Sequence, residues 1–118
     1  MTLDECYQKL GGNYSDVISR LRSERLVHKF VLKFLDDGNF DLLRRSLCEE
    51  NVDDAFRAAH TIKGMCQNLG FSRLEASVVP LTEALRAGSI PEGRRLFEPV
   101  AEDYEITVNA IREYQAAL

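Results

Sequence analysis

Apolar residues recur three and four positions apart along almost the whole chain, and nowhere does an alternating apolar and polar run sit between hairpin turns. The fold class this predicts is all-α. A short helix reads over 3 to 10, ended by Gly11 and Gly12, and a second short one begins after Asn13 or Ser15. Ser23 is placed to cap a helix from about 24 to 36, whose apolar stripe is Leu26, Val27, Phe30, Val31, Phe34 and Leu35. "DDGN" at 36 to 39 breaks it, and a short helix with Leu42, Leu43 and Leu47 turned inward follows.

Asn51 can cap the next helix, with Asp53 and Asp54 in the first turn, where negative charge suits the helix dipole; Gly70 stops it after Leu69. Another helix reads from Ser72 to Ala87, stopped by Gly88. "GSIPEG" then sets Pro91 near the first position of a last helix reaching about residue 116. Pro80 and Pro99 fall inside these two helices, and a kink or break is expected at each because proline removes an internal hydrogen bond. Four substantial amphipathic helices with short connections predict an antiparallel four-helix bundle, here with short additional helices at its N-terminal side.

Length and composition narrow the setting. The 118 residues are read as one domain, 1–118, large enough to bury a core without metal or disulfide staples. Three cysteines with no Cys-x-x-Cys pair, and an acidic opening "MTLDEC" unlike a signal peptide, predict a reducing, cytoplasmic setting. No membrane-spanning run is visible. A net charge of −4 argues against electrostatic binding to nucleic acid. Cys6, Cys48 and Cys66 are each read as small core filler.

The stretch "AAHTIKGMCQNLG", 58 to 70, carries the candidate chemistry. At 100° per residue, Val52, Ala55, Ala59, Ile62, Cys66 and Leu69 form a band roughly 120° away from His60, so the histidine faces outward. Lys63, Gly64 and Gln67 stack around it at plus three, four and seven, and Arg57 and Asp53 continue the strip toward the N-terminus. An exposed histidine is commonly only a solvated polar group, and that is the reading of His28. His60 differs in its company. An exposed glycine inside a helix weakens it by about 1 kcal/mol relative to alanine, which Gly64 justifies if another molecule must come close. Lys63 offers a positive charge one turn away for an anion, and Gln67 can hydrogen-bond the ring or that anion.

Other chemistries find no support in the residues. His60 and Cys66 lie about 240° apart around the helix and cannot share a metal ion, which Lys63 would also repel. There is no glycine-rich phosphate loop, Ser-His-Asp set or inward carboxylate cluster.

"AHTIKG", with Gly70 ten residues after His60 and Phe71 following, resembles the signature of the histidine phosphotransfer (HPt) domain. The chain also fits that family's size and helical bundle. The resemblance implies a phosphorelay carrier of two-component signalling without kinase activity of its own. His60 would take a phosphoryl group from an aspartate of one receiver domain and pass it to another. Lys63 would offset phosphoryl charge, and Gly64, Gln67 and Arg57 would meet the partner. The partners implied are receiver domains of response regulators or hybrid histidine kinases, with the chain a monomer. No cofactor is expected on this chain, the Mg²⁺ being brought by the receiver. A neutral imidazole carries a nitrogen lone pair free to attack.

Where many family members have small serine or alanine residues after the glycine, this chain has Met65 and Cys66. Both fall on or near the core side and read as a packing variant, leaving the polar helper of His60 to be Gln67 or a residue of the next helix such as Thr82. Three alternatives stand beside the carrier. One is the phospho-accepting module of a chemotaxis-type histidine kinase. Another is an adaptor that docks receivers without carrying phosphate, although such proteins usually lack the histidine. The third is a plain helical bundle.

Overall fold

Local signals at the helix ends account for most of the boundaries. A computed structural model describes residues 1–118 as seven α-helices and no strand. The first, α1 (Leu3–Leu10), starts on a reciprocal cap in which Thr2 and Glu5 satisfy each other's backbone N–H groups. Asn13, Ser23, Asn51 and Ser89 each accept a hydrogen bond from the backbone three residues on. They open α2 (Tyr14–Leu21), α3 (Glu24–Phe34), α5 (Val52–Leu69) and α7 (Ile90–Ala116). The short α4 (Asn39–Cys48) and α6 (Ser72–Arg86) begin without a side-chain cap.

Gly70 ends α5 at φ +71°, a left-handed conformation that side chains disfavour. A Cβ there would also stand 2.8 Å from the Asn13 carbonyl oxygen, so the stop doubles as the point where α2's cap meets α5.

Four rods make the bundle, and one of them is broken. α3 and α4 together run antiparallel to α7. His28 meets Tyr114, Phe34 meets Tyr104, Phe40 stacks between Tyr104 and Phe97, and the Leu47 carbonyl accepts from Arg94. The interruption at 35–38 matches the expected "DDGN" break, but α4 proves a full bundle member, packed along α5. With α5, α6 and α7 the rods form the antiparallel four-helix bundle, while α1 packs on α7 and α2 beside α3 and α5. The core of 26 buried residues draws on all seven helices, so α1 and α2 are part of it.

Two expectations change here. Of the kink or break expected at Pro80 and Pro99, the break is ruled out, since α6 and α7 run through both positions. Both prolines are exposed, as are Ala76 and Arg95, whose carbonyls lose their partners, so water can satisfy the freed groups. Leu26, expected in the inward stripe of α3, is 39% exposed, because that helix rests on the bundle by its Val27, Val31 and Phe34 edge. No helix is long and apolar enough to cross a membrane.

Candidate functional site

The strip read from the sequence exists as one exposed face of α5. Ala55, Ala59, Ile62, Cys66 and Leu69 are buried, Val52 is half-buried at the first turn, and His60, Arg57, Gly64 and Gln67 lie in solvent. Lys63 is half-buried along its stem and enters no ion pair, which leaves its ammonium group free. Arg57 pairs with Asp54 on its own helix, and its carbonyl accepts from the Thr61 hydroxyl at 2.9 Å. A Cβ built on Gly64 would meet no atom within 4 Å. Gly64 therefore serves no helix contact inside the molecule.

Neither ring nitrogen of His60 takes part in a hydrogen bond, and the side chain of Gln67 makes none to it; the ring lies against Phe56, with centroids 5.6 Å apart and planes at 21°. Phe56 was missed by the sequence reading, although its position four residues before His60 was a signal for it. The Arg86 guanidinium of α6 stands 4.9 Å from the Phe56 ring centre, a neighbour that no spacing in the sequence announces. Asp53, Phe56, Arg57, Leu85 and Arg86 line an open cleft of about 460 Å³ on this side. On the other side, Met65 and Asn68 border a groove of about 380 Å³ with Phe30, Phe34 and Leu69, edged by Lys33 and Asp37.

Three readings of individual residues are corrected. Thr82 does not help His60: it is fully buried, and its hydroxyl donates to the Val78 carbonyl at 2.7 Å. His28 is not merely solvated, since its Nδ1 lies 2.6 Å from the Tyr114 hydroxyl and the two rings meet edge on. That contact joins α3 to α7 and fixes a ring that isolated helix geometry would leave in water. Cys48 is exposed rather than core filler, because in the last turn of α4 Ser46 and Leu47 take the buried face and Cys48 lies outside it. Cys6 and Cys66 are buried as expected, and burial pushes their thiols up to about 11 and about 12. Neither is ionised at neutral pH, and Cys66 points away from His60.

The C-terminal end of α5 is held from outside the helix. Arg20 of α2 donates to the Gln67 carbonyl at 2.7 Å and the Asn68 carbonyl at 2.8 Å, and the Tyr7 hydroxyl donates to Leu69 at 2.7 Å. These carbonyls are the ones a helix end leaves without partners. The result is a rigid mounting for the helix that displays His60.

The arrangement offers an imidazole with both nitrogens free on a helix pinned at its C-terminal end, a free cation one turn away and clear space beside both. Comparisons with curated proteins and with solved structures give no match. The model of one family, described as the Hpt domain, matches residues 34–117. That span runs from the end of α3 through the whole of α7 and includes the His60 strip, and the chain belongs to the Hpt domain family.

Proposed function

We propose that this chain is a phosphorelay carrier that takes a phosphoryl group on His60 from the aspartate of one receiver domain and passes it to the aspartate of another. Hpt domains are phosphocarrier modules that work with receiver domains in two-component signalling. The observation carrying the assignment to His60 is its exposed ring, free of hydrogen bonds, beside unpaired Lys63 and open Gly64. In the forward step a ring nitrogen attacks phosphorus, the bond to the aspartyl oxygen breaks, the carboxylate leaves, and the ring N–H proton passes to solvent. Lys63 offsets charge on the phosphoryl oxygens. Positioning and electrostatics supply most of the catalysis in such transfers, and the receiver brings the Mg²⁺. Gly64, Gln67 and Arg57 form the surface the receiver covers.

Incubating the chain with a panel of receiver domains charged by acetyl phosphate tests this. The expected result is acid-labile phosphate on His60 from at least one receiver, and its return to a second. No labelling by any receiver, with labelling by an ATP-dependent histidine kinase catalytic domain, would assign the chain instead to the chemotaxis-type kinase modules.

Gly64→Gln separates clearance from packing. With open space around the position, the substitution should raise helix stability by about 0.5 kcal/mol, measured as a higher melting temperature. The same side chain, one turn from the histidine, should slow transfer from a charged receiver by at least about tenfold, since small misplacements of reacting groups have large effects on rate. Transfer at the wild-type rate would remove the clearance role.

A further inference from the structure

No polar side chain holds the His60 ring, and Thr82, the α6 residue expected from the sequence as a candidate helper, spends its hydroxyl on the Val78 carbonyl. Phe56 takes that place. Near-parallel rings at 5.6 Å between centroids are an offset stack, one of the favoured geometries for π systems. Phe56 is half-buried and in turn covered from α6, where the Arg86 guanidinium lies 4.9 Å from its ring centre, within cation–π range. Arg86 also pairs with Glu83 at 3.3 Å. A line of contacts thus runs from α6 through Arg86 and Phe56 to the imidazole on α5.

We infer that Phe56 is a positioning residue for phosphoryl transfer: its ring is the surface on which the His60 imidazole is held, and Arg86 holds Phe56. The inference rests on His60 being the phosphoryl carrier. A stack engages the face of the imidazole and leaves its edge, which bears both nitrogens, in solvent. Attack requires a nitrogen lone pair aimed along the line of the P–O bond that breaks, so a ring kept on one surface loses less rate to misdirected poses. Phe56 does for orientation what a hydrogen bond to one ring nitrogen would do, while keeping both nitrogens free.

The test compares Phe56→Leu, which keeps apolar bulk without a π face, with Phe56→Tyr, which keeps the face. In the free protein, ring current from Phe56 should shift the carbon-bound imidazole protons of His60 in the NMR spectrum. The shift should be lost in Phe56→Leu and retained in Phe56→Tyr. In single-turnover transfer from a phosphorylated receiver, Phe56→Leu should lower the limiting first-order rate about three- to tenfold, the range that an aromatic pair's preference translates to. The half-saturating receiver concentration should stay within about twofold, and Phe56→Tyr should restore the rate. Arg86→Gln, at an exposed position where folding is not at stake, should lower the limiting rate by about twofold and weaken the same proton shift.

Unchanged imidazole shifts in Phe56→Leu, or transfer at the wild-type limiting rate, would overturn the positioning role. So would a loss confined to the half-saturating concentration, which would make Phe56 a docking contact. A wild-type chain with intact ring shifts that accepts phosphate from no receiver would overturn the carrier function itself, and with it any role of Phe56 in transfer. Failure of the positioning role alone reads differently: normal wild-type transfer and an indifferent Phe56→Leu.

Discussion

Replacing His60 by glutamine is expected to bring phosphate uptake from charged receivers to background while leaving the melting temperature within about 5 °C of wild type. The amide keeps polarity and rough size but has no ring nitrogen to attack phosphorus. Because His60 is exposed and makes no hydrogen bond, its removal gives up only the stack on Phe56, a cost of about 1 kcal/mol or less. His28 is the built-in control. It is the only other histidine, and its ring is held by the Tyr114 hydroxyl at 2.6 Å. His28→Gln should therefore keep full labelling and lose some stability, a reversal of the His60 pattern. Lys63→Ala belongs between the two, with transfer slowed by about tenfold and stability nearly unchanged. Labelling that survives His60→Gln would remove the proposed chemistry from this residue.

The largest loss of stability is expected from Tyr7→Ala, at a residue that lies outside the span matched by the family. Tyr7 is 1% exposed, packs its ring against Tyr14 and Phe71, and donates to the Leu69 carbonyl at 2.7 Å. Burial raises the pKa of this phenol well above the ordinary tyrosine range, so the hydroxyl remains a donor at any working pH. Truncation to alanine opens a cavity and strands the carbonyl, a combined cost of about 4 kcal/mol. That is a large share of the roughly 5–15 kcal/mol that holds a typical domain together. Tyr7→Phe removes only the hydrogen bond and should cost about 1 kcal/mol. Urea denaturation of the three proteins measures both steps. Leu69 is nine residues, about 14 Å, along α5 from His60, so either variant, while folded, should transfer phosphate at the wild-type rate. An alanine variant as stable as wild type would show that α1 is dispensable to the bundle.

The two experiments probe parts of the molecule that were unequally legible in the chain. His60 could be placed on an outward face from the positions of Ala55, Ala59, Ile62 and Cys66 alone, because one helix turn relates them whatever the rest of the protein does. The same holds for the ends of α5, since Asn51 and Gly70 act on backbone groups within three or four residues of themselves. Phe56 was legible by the same rule, standing one turn before His60 on the same side of α5. Thr82 shows the opposite case: its chemistry suited His60, but the rotation of α6 about its own axis turns it wholly into the core.

What the sequence by itself determined is what depends on neighbours in the chain: the helical class, most caps and stops, the break after α3, and the strip of His60, Lys63, Gly64 and Gln67. Only the tertiary structure decided that α3 and α4 form one interrupted rod against α7, that Tyr7 and Arg20 close the end of α5, that His28 finds Tyr114 across 86 residues, and that Arg86 covers Phe56. Periodicity states which face of each helix is buried, but not how far the helix slides or turns against its neighbours. A contact between two helices depends on that slide and turn, which are set by the packing of all the side chains in the core at once.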